Sequence, residues 1–293
     1  MVKSRGFKIK PIGGAVTVRS LKAARKITAK YHKIQNELTE NNLTSTRRSD
    51  LENEMHELGG TDKYQKASKL ATERFKTSRF VIRTLQDDLN LKPIKETKSK
   101  YMKLTCLEVG AINTQLQLCP WLAVTAIDLN SQHPQIQEED FFNHQSRWYY
   151  YDVIVCSMVV NCVPCSYKRF EMLVRLHMLL SKNDTNDNDT NNCSGGVLFL
   201  MLPKLCISEV GEKHFNSLLQ AIGFIDCVKK DDTPKISFRV LKCNTDTTTC
   251  ESDNVDEKCN KAILRLPSNT SEYLKNNHDT SSRFSISITP PPP

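Results

Sequence analysis

The sequence predicts an α/β fold in which a Rossmann-like, mostly parallel sheet ends in an antiparallel hairpin and follows a basic helical extension. From residue 101 onward, short apolar runs rich in Val, Ile and Leu alternate with helix-length segments. The last two runs, 224–229 and 235–242, flank the turn KDDTP. Such alternation is typical of parallel strands covered by helices, and a short polar turn between two runs indicates a hairpin. A helical period rich in basic residues before residue 100 predicts the extension.

Five apolar runs account for the parallel strands. They cover 104–109, 122–128, a short stretch leading into Glu139, 151–164 and 195–203. The fourth run, YDVIVCSMVVNCVP, is apolar almost throughout, as expected for a parallel strand that is buried on both faces. Helices are predicted over 165–181 and 208–223. In such a sheet, ligands bind at the carboxyl ends of the strands, near the point where the strand order reverses.

The chain divides into four regions. We expect a flexible basic arm over residues 1–17, a helical basic extension over 18–100, a ligand-binding sheet domain over 101–243, and a low-complexity, mostly disordered tail over 244–293. In the extension, apolar residues recur three or four apart from Val18 to Leu38. A second helix is expected to start at an N-cap, Ser49 or Asp50, and a third, bent helix is expected over 62–89. An apolar patch at 262–266 could add an edge strand or dock on the core.

The positive charge lies in the N-terminal third. The whole chain of 293 residues carries a net charge of +8, but residues 1–103 hold 24 Lys and Arg against 11 Asp and Glu, and residues 1–33 hold ten basic residues and no acid. An acid-free basic run of this length is typical of a surface that binds a polyanion such as RNA. The alternative is a small helical domain whose lysines are merely solvated.

Composition also excludes several classes of protein. No run approaches the roughly 20 apolar residues of a spanning helix, and the N-terminus lacks the apolar core of a signal peptide, so we expect a soluble intracellular protein. The eleven cysteines all lie from Cys106 onward, several of them inside apolar runs, which does not favour a disulfide framework. The pair Cys162 and Cys165 has no second Cys-x-x-Cys or paired His motif, so we expect it to be structural and expect no metal site.

Acids and one glycine follow the first three predicted strands. Glu108 and Gly110 stand where the first strand ends, Asp128 ends the second 18 residues after Gly110, and Asp140 and Phe141 follow the third. Glycine lets the backbone pass close to a ligand, and an acid at the second strand end can accept hydrogen bonds from both ribose hydroxyls. Asp140 could accept from an adenine amine, and Phe141 could stack on the adenine. Together they predict a pocket for an adenosine-containing cofactor.

The number of glycines narrows the choice of cofactor. A dinucleotide site expects G-x-G-x-x-G, whose backbone amides hold a pyrophosphate, whereas this chain has Gly110 alone in VGAIN. S-adenosyl-L-methionine carries no phosphate, and its amine and sulfonium are compatible with an acid such as Glu108. The residues therefore predict an S-adenosyl-L-methionine site.

The same residues resemble a known family. LEVGAIN, TAIDLN, EEDFF, YDVIVCSMVVNCVP and GGVLFLMLP are similar to the fungal nucleolar methyltransferases that make 1-methyladenosine in 25S ribosomal RNA. The resemblance covers about residues 63–242, and 157–164 is its most specific part. It implies a Rossmann-like class I methyltransferase sheet, with Gly110 and Asp128 at cofactor-binding positions. Cys162 stands where the family often has a larger residue, and the Asn/Asp-rich insertion at 182–194 is particular to this chain.

The resemblance also implies a reaction and a location. We expect methylation of adenine N1 in large-subunit ribosomal RNA or a pre-ribosomal particle, in the nucleolus of the nucleus, by a monomer. The base would have to be unpaired or flipped out, because N1 lies on its pairing edge. Ser157 and Asn161 are the candidates for lining the base pocket, since the fourth strand ends there. For Asn161, the alternative is that its side chain only satisfies the backbone at the strand end.

Two other functions share the pocket. Animal relatives of the family act as S-adenosylmethionine sensors in target-of-rapamycin signalling, so a non-catalytic sensor with a protein partner is the main alternative. The acid-free basic N-terminus favours the enzyme, because a sensor needs no RNA-binding surface. A nicotinamide-dependent enzyme is a weaker alternative, disfavoured by the missing glycines.

Overall fold

A computed structural model gives the fold. It describes residues 21–38, 43–72, 77–89, 91, 95–97, 100–101, 103–131, 133–144, 150–181, 195–227, 233–243, 254–276 and 284–290. The predicted arm over 1–17, the insertion over 182–194 and the final prolines 291–293 lie outside these residues.

Seven strands form one sheet. A two-stranded ribbon, β1 (Lys95–Thr97) and β2 (Lys100–Tyr101), precedes β3 (Leu104–Val109), β4 (Leu122–Asp128), β5 (Gln137–Glu138), β6 (Val153–Ser157), β7 (Val197–Pro203), β8 (Phe224–Asp226) and β9 (Ile236–Cys243). The order across the sheet is β5-β4-β3-β6-β7-β9-β8, and β9 is antiparallel to both of its neighbours while the other pairs are parallel. The chain leaves β3 outward to β5 and then returns to β6 on the other side of β3. This reversal confirms the predicted doubly wound sheet with a C-terminal hairpin.

The fourth predicted strand is shorter than expected. β6 stops at Ser157 because Met158 has a φ of +61°, a left-handed conformation that ends an extended strand. A single 3-10 turn, Val160–Cys162, follows before helix α5 begins. The residues of this run are apolar because they are buried, and both a buried strand and a buried loop require apolar residues. The apolar pattern alone therefore could not show where the strand ends.

Alternate strand residues point to two apolar layers, as the period of two requires. One layer joins β3, β6 and β7 to helices α5 (Ser166–Met178), α6 (Lys204–Val210) and α7 (Glu212–Ile222). The predicted helix over 208–223 is thus two helices, separated at Gly211 with a φ of +86°. The other layer joins the opposite face to helix α4 (Thr77–Arg83) and the π-helical turn Thr84–Asp88. Phe80 lies against Phe238 with 4.8 Å between ring centroids.

The packing of α4 corrects the expected boundary at residue 100. A parallel sheet needs both faces covered, and the end of the predicted extension covers one of them. The remaining extension contains α1 (Leu21–Leu38), α2 (Ser45–Leu58) and α3 (Gly60–Thr72). The N-cap of α2 is Thr44, whose hydroxyl accepts from the Arg47 amide, and not Ser49 or Asp50 as expected. Both of those residues lie inside the helix, because the helix starts one turn earlier.

The C-terminal region corrects a second expectation. Residues 254–276 form helices α8 (Val255–Arg265) and α9 (Ser268–Asn276), and 284–290 run as an extended segment. Their apolar side chains are buried with α5 and α7 in the first layer (Cys259, Ala262, Leu266, Leu274, Ile286 and Ile288). The patch at 262–266 therefore docks as a helix and adds no edge strand. The region is mostly polar, so its few apolar residues did not suggest an ordered element. They lie on one face of each helix, and one apolar face is enough for a helix to pack on the core.

No helix among the described residues is long and apolar enough to cross a membrane. Within the same residues, no three His, Cys, Asp or Glu side chains are grouped as metal ligands, and the nine cysteines described there are free thiols.

Candidate functional site

One cavity of about 390 Å³ lies at the carboxyl ends of β3, β4 and β6, and α1 and α3 face it from the other side. Its volume is in the ordinary range for a small-molecule site. Six of the seven predicted site residues line it (Glu108, Gly110, Asp128, Asp140, Phe141 and Ser157). They come together because parallel strands deliver their carboxyl ends to the same edge of the sheet, next to the reversal between β3 and β6.

Glu108 places an unsatisfied carboxylate in the cavity wall. Its Oε2 atom is buried and has no hydrogen-bond partner among the residues that the structure describes. Burial raises the pKa of this carboxyl to about 7. A buried carboxylate is costly unless it is paired, so the position is suited to a ligand that brings a cationic donor.

Gly110 is required by the backbone and by a close neighbour. Its φ is +73°, and a Cβ there would lie 2.3 Å from Cγ2 of Val159. The glycine was expected to allow the close approach of a ligand, but its nearest constraint is Val159, in the loop after β6. The amides of Gly110 and Ala111 both donate to the carbonyl of Ile127, at 2.9 and 3.0 Å.

The turn after β3 does not have the form of a dinucleotide site. All of residues 110–121 are described, and none of them is in an α-helix. A pyrophosphate is held at a helix N-terminus, and no α-helix begins in this turn, where two of the amides are already bonded to Ile127. The geometry therefore disfavours the nicotinamide alternative.

The acids after β4 and β5 are held by their own loops. Asp128 Oδ1 accepts from the Asn130 amide at 2.9 Å, and Asp140 Oδ1 accepts from the Phe142 amide at 2.9 Å. These bonds fix the two carboxylates at the cavity edge. Phe141 packs in the apolar core and is only 7% exposed, so most of its ring is committed to packing. Phe142, not singled out from sequence, lines the cavity as well.

The loop after β6 differs from the prediction at one residue. Ser157 lines the cavity, but Asn161 is not one of the lining residues; Cys162 is. The Asn161 amide donates to Cys162 Sγ at 3.4 Å, and its Oδ1 is buried without a partner in the described structure. Cys162 Sγ also donates to the Met158 carbonyl at 3.1 Å, and burial raises the pKa of this thiol. The 3-10 turn rotates Asn161 away, which a strand pattern could not reveal.

Helices α1 and α3 supply a second wall that sequence reasoning missed. Tyr31, His32, Tyr64 and Gln65 line the cavity from these helices. The Gln65 amide donates to the carbonyl of Asn130, which joins α3 to the loop after Asp128. From sequence, Tyr31 is one position of the apolar helix face between Val18 and Leu38. Nothing in the sequence indicates that this face meets the strand ends.

The family described as "25S rRNA (adenine(2142)-N(1))-methyltransferase, Bmt2" matches residues 49–273. This match covers most of the chain and spans α2 to α9. The chain belongs to this family. It is accordingly an S-adenosylmethionine-dependent methyltransferase of 25S ribosomal RNA adenine N1, with the expected Rossmann-like class I fold.

Two individual proteins are also similar to this family member. A Schizosaccharomyces pombe protein named 25S rRNA adenine-N(1) methyltransferase is 28% identical over 199 residues, which cover 64% of this chain and 68% of that protein. The crystal structure of the plantazolicin methyltransferase BpumL, in complex with a triazolic desmethylPZN analogue and SAH, is 13% identical. It covers 77% of this chain and 100% of its own, with a TM-score of 0.41.

The cavity of this family member suits its methyl donor. The unpartnered buried oxygen of Glu108 is compatible with a ligand that carries an amine, and the turn at Gly110 lacks the helix N-terminus that a pyrophosphate would need. The family assignment also favours the enzyme over the sensor, the main alternative from sequence.

Proposed function

We propose that S-adenosylmethionine lies along the ends of β3, β4 and β5. Its amine would bind Glu108, its ribose would bind Asp128, and its adenine would lie between Asp140 and the exposed part of Phe141. The observation that carries this assignment is the single cavity that these residues share where the strand order reverses. We assign the amine, ribose and adenine in the order in which β3, β4 and β5 lie across the sheet.

The charges of Glu108 and Asp128 support the places proposed for the cofactor's amine and ribose. The Oε2 atom of Glu108 is buried without a partner among the described residues, and an ammonium group pairs with such a carboxylate through a strong, charge-assisted hydrogen bond. Asp128 is partly accessible at the cavity edge and held by the Asn130 amide, so its carboxylate is preorganised for a diol.

The chemistry asked of the chain is mainly positional. Bound S-adenosylmethionine supplies an activated methyl group and retains the electron pair of the broken bond on its sulfur. Adenine N1 attacks with its own lone pair and carries no proton, so no residue has to act as a general base. Ser157, at the end of β6, is proposed to border the path of the entering base. Holding N1 in line with the methyl group is what the protein contributes.

The RNA is proposed to approach across α1. Lys26, Lys30 and Lys33 are exposed and lie at helical spacing on one face. Lys30 is 3.5 Å from Glu54 and Lys33 is 3.8 Å from Glu37. Surface pairs of this kind are weak and can exchange for phosphates. The stripe belongs to the helix that carries Tyr31 and His32 into the cavity.

Methyl transfer from labelled S-adenosylmethionine to 25S ribosomal RNA that lacks the modification tests the function. We expect one labelled adenine, which appears as a reverse-transcription stop because the methyl group blocks the pairing edge. The variant Asp128→Ala should abolish the signal at limiting cofactor. Cofactor binding without transfer to this RNA would contradict the enzyme and favour the sensor.

We further propose that the protein works as a monomer on a pre-ribosomal particle in the nucleolus. The support is the basic N-terminus together with the RNA substrate of the family. A tagged chain should enrich in nucleoli and co-sediment with large-subunit precursors. Removing residues 1–17, which lie outside the described structure, should weaken both. An even distribution through the cytoplasm would contradict the proposal.

A further inference from the structure

The helical wall of the cavity is built from three aromatic rings. The Tyr31 and Tyr64 rings are stacked, with centroids 4.2 Å apart and an angle of 18° between planes. The His32 ring meets Tyr64 edge-on, with centroids 5.1 Å apart and an angle of 80°. All three line the cavity and remain partly accessible. The cluster thus presents flat aromatic surface to whatever occupies the site.

This cluster lies over the loop that follows β6. The Tyr64 hydroxyl is 3.6 Å from Cys162 Sγ, and His32 Nε2 is 3.8 Å from the same sulfur. Ser157, the proposed border of the base path, begins the same loop. The aromatic rings therefore border the loop after β6, on the side of the cavity where the base is proposed to enter.

Among the described residues, the sheet offers no aromatic stacking partner on that side. The loop SMVVNCVP over 157–164 contains no aromatic residue. Among the described cavity residues, Phe141 and Phe142 belong to the turn capped by Asp140, at the end proposed for the cofactor's adenine. A flipped-out base loses its stacking in RNA and needs an aromatic or apolar surface in return.

We infer that Tyr64, backed by Tyr31 and edged by His32, is the stacking surface for the target adenine. The inference rests on the proposed function, because it assigns the place of that function's substrate. Methylation at N1 makes the base cationic, and the face of a tyrosine attracts a cation more than a neutral ring. The surface thus favours the charge that develops during transfer. Burial lowers the pKa of His32, so this neighbour is neutral and does not repel the product.

The inference is tested with variants of Tyr64 that remove either the hydroxyl alone or the whole ring. Tyr64→Phe keeps the stacking face and loses only the contact with Cys162, whereas Tyr64→Leu removes the face. Tyr273→Leu is the matched control: Tyr273 is also stacked, on His214 with centroids 4.3 Å apart, but does not line the cavity. Thermal melting checks that each full-length variant is folded. Tyr64→Met, of similar length and without a ring, replaces Tyr64→Leu if that variant is unfolded.

The readouts are kcat/KM for unmodified 25S ribosomal RNA and the Kd of S-adenosylhomocysteine. We expect Tyr64→Leu to lower kcat/KM by roughly 10- to 100-fold, the usual range for losing one stacked base, with a Kd within about twofold of wild type. Tyr64→Phe and Tyr273→Leu should stay within about threefold of wild type in both.

Three results would overturn the inference. They are an unchanged kcat/KM in Tyr64→Leu, an equal loss in Tyr273→Leu, and a Kd for S-adenosylhomocysteine that rises by the same factor as kcat/KM falls. The last result would show that the Tyr64 ring contacts the cofactor and not the target adenine. Failure of the wild-type protein to transfer any methyl group would instead remove the proposed function, and the two failures are therefore distinguishable.

Discussion

Arg169 and Ser285 are 116 positions apart in the chain, and the Nη1 atom of Arg169 donates a 2.7 Å hydrogen bond to the Ser285 carbonyl. The same buried guanidinium donates through Nε to the Val163 carbonyl at 2.7 Å and through Nη2 to the Pro164 carbonyl at 2.8 Å. Val163 and Pro164 line the cavity. One side chain therefore ties the C-terminal segment to the wall of the site.

Deleting residues 284–293 should destabilise the protein and slow methyl transfer. The deletion removes the Ser285 carbonyl and the Phe284 ring, which lies 4.8 Å from the guanidinium. Losing a partner of a buried charged donor costs roughly 1–3 kcal/mol, and losing the buried Ile286 and Ile288 side chains adds to that loss, which urea unfolding measures. Deleting only 291–293 keeps both contacts and is the control. Equal stability of the two truncated chains would contradict the role given to Arg169.

Gly110→Ala should lower stability and cofactor affinity together. Alanine at a φ of +73° costs about 1–2 kcal/mol, and the new Cβ would also overlap Val159. Val159→Ala in the same chain should recover the steric part but not the backbone part. A double-mutant cycle by denaturant unfolding measures this coupling. Additive effects of the two substitutions would show that the contact with Val159 is not the constraint.

Asp128 should contribute to binding through its charge as well as through its loop. Asp128→Ala loses the carboxylate and its bond to the Asn130 amide, so cofactor affinity should fall roughly 10- to 100-fold. Asp128→Asn can keep the loop bond and should lose less. Calorimetric titration with S-adenosylhomocysteine distinguishes the two. Identical losses would assign the effect to the charge alone, because Asp128→Asn keeps the loop bond and Asp128→Ala does not.

Glu108 should make the stability of the ligand-free protein depend on pH. Burial raises its pKa from 4.5 to about 7 in the folded chain. Below pH 4.5 the carboxyl is protonated whether folded or unfolded and has no effect. As the pH rises toward 7, the unfolded chain gives up the proton first, so stability falls by up to roughly 3 kcal/mol. Glu108→Gln should remove this loss, which unfolding curves at pH 5 and 8 would reveal.

The same carboxyl should make cofactor binding depend on pH in the opposite direction: affinity should increase as the pH rises, whereas the stability of the ligand-free protein decreases. If its ionised form pairs with the cofactor's amine, affinity should fall below pH 7 by up to about tenfold per pH unit. S-adenosylhomocysteine has the same amine and no sulfonium, so it should show the same slope. Glu108→Gln should bind weakly at every pH. A wild-type affinity that does not change between pH 5.5 and 7.5 would exclude this pairing.

The lysine stripe on α1 should determine part of the salt dependence of RNA binding. Replacing Lys26, Lys30 and Lys33 by alanine removes three cations, and the slope of log K against log salt should decrease by roughly 2. The control triple variant replaces Lys204, Lys213 and Arg265, which are exposed on helices α6, α7 and α8. An equal change in both variants would show that the stripe is not the RNA contact.

Local patterns were enough to predict most of the sheet. The strands at 104–109 and 122–128 were predicted with the bounds that the structure has, because both are short apolar runs closed by an acid or a glycine. The hairpin followed from the turn KDDTP. One error occurred at Met158, where the apolar run continues although the strand has ended. Another occurred in α8, where a mostly polar sequence contains a few apolar residues that form a buried face.

The sequence by itself determined the α/β class, the acids and glycine at the strand ends, and the cofactor that they suit. Each of these depends on residues close together in the chain and on the rule that parallel strands end at one edge. Only the tertiary structure decided that Tyr64 lies against Cys162, 98 positions away, that Arg169 holds Ser285, and that Val159 forbids a side chain at Gly110. These contacts join residues that are distant in the chain. No local sequence pattern encodes them, because they form only when helices, strands and loops pack together.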